Sequence, residues 1–310
     1  MSEDHAIISE AIPDALNGER IDRAISFMTG ASRSIVSKCI KDGQVFCNRI
    51  RVRKNSEKVT TGDIILVRSN LLTDVIEITP EPEIVVPIVH VEEEFIVVDK
   101  PAGLVVHPAT NRRSGTMVNG LLSMYPEIAD VGDLGRPGIV HRLDKGTSGL
   151  LLVARSQLSH THLTGQLQAR TIERTYLALV CGALDADKGI IDAPLGRDPK
   201  NPIRRAVVAN GKEARTHYVV KERFTLPSSS CLVQCELETG RTHQIRAHFA
   251  AIGHPIVGDS LYRGSMETID LDRPFLHSSS LAFSHPETGE RLEFNSEIPQ
   301  ELTEIMKRVS

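Results

Sequence analysis

The chain has 310 residues, 40% of them hydrophobic and 25% charged, with a formal net charge of −4. That is an ordinary soluble globular composition, long enough for one large domain plus a small one. No apolar run reaches the roughly 18 residues of a membrane span, and Met1-Ser2-Glu3-Asp4-His5 lacks the basic-then-apolar pattern of a secretory signal, so a cytoplasmic protein with no membrane partner is expected. The five cysteines contain no CxxC pair and suit a reducing compartment. Cys231 and Cys235 fall four apart in a strand-like apolar stretch and share one face, which reads as core packing and not as a metal site.

Residues 1–17 read as a tail. Ile21, Ala24, Ile25 and Met28 then recur at helical spacing up to Gly30. Ser32 or Ser34 can cap a second helix carrying Ile35, Val36, Cys39 and Ile40, which Gly43 ends. A strand from Gln44 to Cys47, a turn at Asn48-Arg49, a strand from Ile50 to Arg53 and another from Ile64 to Val67 follow. The net charge hides a strong asymmetry. Ten basic residues face four acids between Glu19 and Lys58, whereas nine acids face only Arg68 between Asp63 and Asp99. Phosphate responds to the local field, so the basic segment is the one fit for a nucleic acid. Two short helices on a basic hairpin resemble the S4 RNA-binding domain over residues 18–75. The resemblance implies phosphate contacts from Arg20, Arg23, Arg33, Lys38, Arg49 and Arg51.

Pro80, Pro82 and Pro87, set among acidic and β-branched residues, suggest a semi-rigid linker over 76–90. From residue 91 to 310 strands and helices mix without a regular βαβ rhythm. Strands are expected at Phe95–Val98, Leu104–Val106, Thr175–Cys181, Thr216–Val220 and Cys231–Leu237. Helices are expected at Thr116–Met124, from a Ser156 cap with Leu158, Leu163 and Leu167 near one face, and from Gly240-Arg241 to about Ala251. The fold class is therefore α+β, a mixed and largely antiparallel sheet with a small module in front.

Several familiar sites are excluded. His141-Arg142-Leu143-Asp144 differs in order from a kinase catalytic loop and has no glycine-rich loop or strand lysine beside it. No Walker sequence and no GxGxxG follows a strand, so no nucleotide cofactor is indicated. His243 and His248 are five apart and lack the HExxH form, so no metal site is expected. The stretch Gly138 to Gly149 stands out instead: Arg142 and Asp144 lie two apart in a polar turn that runs into the apolar Leu150-Leu151-Leu152-Val153-Ala154. From local pattern alone Asp144 can equally be a turn-capping residue.

Five ordered segments change that balance. They are Lys100 to Pro108, Gly138 to Ala154, Glu173 to Ala178, Leu237 to His248 and His254 to Asp259, joined by Leu276-His277 and Phe283 to Pro286. Together they closely resemble the RluA-type family of RNA pseudouridine synthases. With the S4-like module in front, the chain is most similar to the RluD branch, which acts on 23S ribosomal RNA. The resemblance implies Asp144 as nucleophile, Tyr176 as the active-site tyrosine and Arg241 as the charge partner of Asp144. It also implies Arg142, flanked by His141 and Leu143, as the contact to RNA around a displaced uridine. No cofactor is implied. The partner implied is ribosomal RNA, with a large-subunit assembly intermediate as one setting for it; a transfer RNA or another ribosomal site, or a non-catalytic assembly factor, are the alternatives. Isomerising uridine breaks a C–N bond and forms a C–C bond with no redox change, which a carboxylate that attacks and then leaves can serve. Attack at C6 of the ring and assistance at C1′ of the ribose both remain open.

Overall fold

The computed structural model describes residues 8–29, 31, 33–69, 78–108, 114–132, 135–266 and 268–309. They fall into two compact units, one of residues up to Thr79 together with 135–137, the other of Pro80–Gly132 together with the residues from Gly138 onward.

The first unit carries a four-stranded antiparallel sheet and two helices. Its elements are β1 (Ile8–Ala11), α1 (Ile21–Thr29), α2 (Arg33–Lys41), β2 (Val45–Cys47), β3 (Ile50–Arg51) and β4 (Ile64–Val67), with sheet order β1-β4-β2-β3. The apolar spacing read from the sequence is what the core uses: Ile21, Ala24, Ile25, Val36, Cys39 and Ile40 are all buried. Asn48 and Arg49 both take positive φ, as a two-residue hairpin turn requires. The expected tail over 1–17 is not free where it is described, because β1 pairs with β4 and Ile12 is buried in the core. The helix-capping serine Ser32 and the stop at Gly30 lie outside the described residues, and Ser34 falls inside α2.

Two of the basic residues are tied up internally. Asp22 is buried, and it accepts hydrogen bonds from Arg20 Nε at 3.0 Å and Arg33 Nη2 at 2.8 Å. Burial opposes its charge, but the two guanidinia outweigh it and hold its pKa below the usual 3.8. The stabilisation is thus present above the unfolded value and is lost as pH falls through the lower folded one. Asp22→Asn should weaken this unit by about 1–3 kcal/mol at neutral pH, read by denaturant unfolding. An unchanged midpoint would mean that the pairs add nothing beyond exposed ion pairs. Arg23, Lys38, Arg49 and Arg51 are exposed, and Arg23 lies over the exposed Phe27 ring at 5.4 Å.

The second unit is built on a nine-stranded sheet. Its elements are β5 (Ile88–Val91), β6 (Phe95–Lys100), α3 (Met117–Met124), β7 (Ser148–Ala154), α4 (Gln157–Gln168), β8 (Glu173–Cys181), β9 (Lys188–Asp192), β10 (Leu195–Arg197), β11 (Arg205–Val207), β12 (Arg215–Phe224), β13 (Ser230–Leu237), α5 (Gln244–Ala251), β14 (Leu276–Ser284), β15 (Arg291–Asn295) and α6 (Gln300–Val309). The sheet runs β5-β6-β7-β14-β8-β13-β12-β9, with β15 on β14 and β10-β11 as a separate hairpin. Among the described residues only the β7–β14 strand pair is parallel, which makes the fold α+β with a largely antiparallel sheet, as the sequence implies. Ser156 caps α4 by accepting from Ser159 N, although Leu158 is exposed and Leu163 carries the buried face.

Two expectations are corrected. The segment from Pro80 is not a linker: Glu81 accepts from Gly115 N, Val86 is buried, and Ile88–Val91 joins the sheet. It is held by backbone pairing with β6 and by Val86, while Val85, Val89 and Val91 stay exposed. The start of the expected linker, residues 76 and 77, lies outside the described residues. Leu104–Val106 forms only an isolated bridge, Val105 to Thr116, and no strand. Cys231 and Cys235 are free, buried and on one face of β13, as expected of core residues.

Candidate active site

The loop before β7 is held from several sides. All seven residues of β7 are buried, and each fully buried leucine contributes roughly 1.5–3 kcal/mol, so the strand gives the loop a rigid base. Gly149 has φ +109°, and a Cβ there would meet the Ser278 carbonyl oxygen at 2.2 Å, so only glycine lets β7 and β14 approach this closely. Upstream, the chain runs back along β7: Ile139 bridges to Val153, and His141 Nε2 accepts from Leu152 N at 3.1 Å. Burial, with Arg174 adding to it, pushes the pKa of His141 down to about 3, so the ring is a neutral strut. Leu143 is buried. On the other side Gly103 N donates to Lys145 O at 2.7 Å, and the fully buried Lys100 reaches the same carbonyl at 3.4 Å as well as Pro101 O and Leu104 O. Burial pushes the Lys100 ammonium down to about 7, against the pull of Asp144.

Asp144 emerges from this frame half-buried, its side chain 15% exposed. Its Oδ2 accepts from Arg246 Nη1 at 3.1 Å. Arg246, on the first turn of α5, is itself clamped by the buried Asp259, with Nε to Oδ2 at 2.6 Å and Nη2 to Oδ1 at 2.9 Å. Burial disfavours the guanidinium charge, but the two carboxylates outweigh it and raise its pKa. The Tyr262 ring lies 5.2 Å from its Cζ. Tyr176, on β8 opposite Cys235 and Ser278, is buried, and burial raises its pKa so that the phenol stays protonated. The charge of Asp144 acts in the same direction.

Arg241 is not the partner of Asp144. Its side chain is exposed and its Nε donates to Glu213 O at 3.0 Å. The expected helix start at Gly240-Arg241 is three to four residues early. Gln244 Oε1 instead caps Arg241 N and accepts from Thr239 Oγ1, so the helix opens at Gln244 and turns Arg246, not Arg241, inwards. The sequence signal was present in Gln244-Ile245-Arg246 and in Gly258-Asp259, but which arginine faces the carboxylate depends on the helix phase. Arg142 is exposed, and its Nη1 donates to His107 Nε2 at 3.3 Å.

Among the described residues, one grouping has metal-ligating side chains close enough together, Glu92, Glu94 and His285. It lies at the end of β6 opposite Lys100. His285 Nδ1 accepts from the backbone N–H of Glu287 and Thr288, so its Nε2 carries the proton and donates to Glu92 at 3.0 Å. A structural polar cluster satisfies this geometry better than a metal, which would need that nitrogen's lone pair.

A carboxylate aimed by a clamped arginine, beside a buried tyrosine on a mixed sheet, is the site of an enzyme that works by covalent or acid–base chemistry. Comparisons with known proteins narrow the class. The family model described as RNA pseudouridylate synthase matches residues 94–251, and the S4 domain model matches 19–65. An uncharacterized RNA pseudouridine synthase of Bacillus subtilis is 42% identical over 94% of this chain and 94% of its own. The ribosomal large subunit pseudouridine synthase D of Nitrosomonas europaea is 40% identical over 99% of this chain and 89% of its own. The human RNA pseudouridylate synthase domain containing 1 shares the fold, with a TM-score of 0.56 over 74% of this chain and 96% of that one, at 24% identity. The chain belongs to the RNA pseudouridylate synthase family and is an RNA pseudouridine synthase with an S4 domain.

Proposed function

We propose that this enzyme isomerises specific uridines of 23S ribosomal RNA, with Asp144 as the nucleophile acting on a flipped-out base. The observation that carries the reading is the Arg246 clamp on Asp144, a half-buried carboxylate with a dedicated cation and a rigid loop behind it. Relatives described as ribosomal large subunit pseudouridine synthase D, from Nitrosomonas europaea and Xanthomonas campestris, support the choice of RNA. The base must leave its stack to be reached, at a cost of a few kcal/mol. Tyr176 gives it a flat wall, and Arg142, steadied by His107, braces the RNA where the base was. Arg246 keeps Asp144 aimed through the hydrogen bond from its Nη1. Exposed Arg23, Lys38, Arg49 and Arg51 supply phosphate contacts, and Arg20 and Arg33 contribute through the faces that Asp22 leaves open. A cytoplasmic location follows from such a substrate. Among the described residues, no helix is long and apolar enough to cross a membrane.

The test is tritium release from RNA labelled at C5 of uridine. Release is expected from 23S ribosomal RNA or its fragments, with binding that weakens steeply as salt rises. Release from transfer RNA alone would move the target within the family. Tight RNA binding with no release from any RNA would make the chain a binding factor.

A further inference from the structure

Arg174 sits on β8 two residues before Tyr176, on the same face of the strand, and has no part in the reading above. Same-face neighbours on a strand stand roughly 6–7 Å apart, which is the scale of the span from a base to its own phosphate. Arg174 is 6% exposed and Tyr176 5%, so the guanidinium is buried to the same depth as the ring. The far end of the side chain lies against the turn before α5, where a Cβ added at Gly240 would stand 2.7 Å from Nη1.

A guanidinium this deeply buried ordinarily has a carboxylate beside it, as Arg246 has Asp259 and Asp144. Among the described residues Arg174 has none within ion-pair distance. Its one hydrogen bond there runs from Nη2 to the Leu237 carbonyl at 3.4 Å, and its buried Nε–H has no acceptor. His141 offers a second open donor. Its Nε2 accepts from Leu152 N, which puts the ring proton on Nδ1, and that buried N–H also lacks an acceptor. Burial dominates the titration of both the His141 and Tyr176 rings, and the Arg174 charge acts on each of them in turn. Buried donors with a net positive charge fit a partner that is anionic and only accepts. A uracil carbonyl would take a hydrogen bond and leave the charge uncompensated. A phosphate answers both.

We propose that Arg174 is a substrate-binding residue that holds a phosphate flanking the displaced uridine while the base lies against Tyr176. The anion arrives with the RNA, so the free enzyme keeps a strained, unpaired cation that binding relieves. Phosphate and guanidinium match as a bidentate, charge-assisted pair. This role rests on the flipped-base reading and adds to it the anchor that fixes the backbone of the reacting nucleotide.

Arg174→Met keeps the apolar length of the side chain and removes the charge. An unpaired buried cation gives way to an apolar group, so the melting temperature should hold or rise. Affinity for a 23S ribosomal RNA fragment that the wild type converts should fall about 10–100-fold, as for a lost charge-assisted hydrogen bond. The slope of log affinity against log salt should become shallower by about 0.7–0.9, the share of one phosphate, and Arg174→Lys should restore it. A methylphosphonate can replace either phosphate of the reacting uridine, with the adjoining 2′-hydroxyl replaced by hydrogen in modified and control RNAs alike. At one of the two positions it should weaken wild-type binding by the same factor and leave Arg174→Met binding unchanged. A lowered melting temperature with an unchanged salt slope would make Arg174 a structural residue. Weaker binding with an unchanged slope would make its ligand a base carbonyl. Either result, or equal methylphosphonate losses in both enzymes, would overturn the role while the functional reading stands. No tritium release from any RNA by the wild type would overturn the functional reading itself, and this role with it.

Discussion

Asp144→Asn should abolish turnover, lowering kcat by roughly 10⁴–10⁶-fold, as loss of a nucleophile does elsewhere. The substitution is nearly isosteric. The amide oxygen can still accept from Arg246 Nη1, and Arg246 keeps both of its bonds to Asp259. The loop is held through backbone groups and through Lys100, His141 and Gly103, none of which touches the Asp144 carboxylate by a hydrogen bond. Stability should therefore change by no more than about 1 kcal/mol. RNA affinity should stay near wild type, because phosphate contacts carry it. Tritium release measures the first quantity, and filter binding with thermal melting measures the others. An Asp144→Asn enzyme with wild-type release would remove the nucleophile from this account.

Arg246 should be the second most sensitive position, and the variant chosen decides what is learned. Arg246→Ala leaves the Asp259 side chain, only 1% exposed, as an uncompensated buried charge, which costs on the order of 3–5 kcal/mol and confounds folding with catalysis. Arg246→Lys keeps the positive charge and loses the fork that spans Asp259 and Asp144 together. A misaimed nucleophile then costs on the order of 10²-fold in kcat with little change in KM. Arg241→Ala is the natural control: its side chain is exposed and, among the described residues, is hydrogen-bonded to the Glu213 carbonyl alone, so activity should stay within a few-fold of wild type. Should Arg241→Ala prove the more damaging, the pairing seen between Arg246 and Asp144 would not be the working one.

Much of this molecule is legible in its sequence where period and turn chemistry are local. The i, i+3, i+4 spacing of Ile21, Ala24 and Ile25 maps directly onto the buried face of α1. Asn48-Arg49 gives its hairpin, and Ser156 gives the start of α4. What is not local is harder. The strands β9, β10 and β11 are short and polar at their edges, and only pairing with β12 or with each other makes them strands. β14 depends on the same kind of long-range pairing, with β7 and β8, and β1 needs β4, whereas β15 is a hairpin partner of β14. The proline-rich segment from 80 reads as extended linker because its composition is the same whether it is free or laid against a sheet edge.

At the site, the loop with Asp144 and the strand with Tyr176 can be found from pattern and family resemblance. The arginine cannot, because a helix start displaced by three or four residues rotates a different side chain towards the carboxylate. The side-chain capping of Gln244 onto Thr239 and Arg241 sets that phase. Asp259 owes its importance wholly to its tertiary contact with Arg246.

The measurement that bears most directly on the central claim is a map of pseudouridines in ribosomal RNA from a strain lacking this protein, complemented with wild type or with Asp144→Asn. The account predicts loss of pseudouridine at one or more positions of 23S ribosomal RNA, restored by wild type and not by Asp144→Asn. An unchanged map, or full restoration by Asp144→Asn, would contradict it.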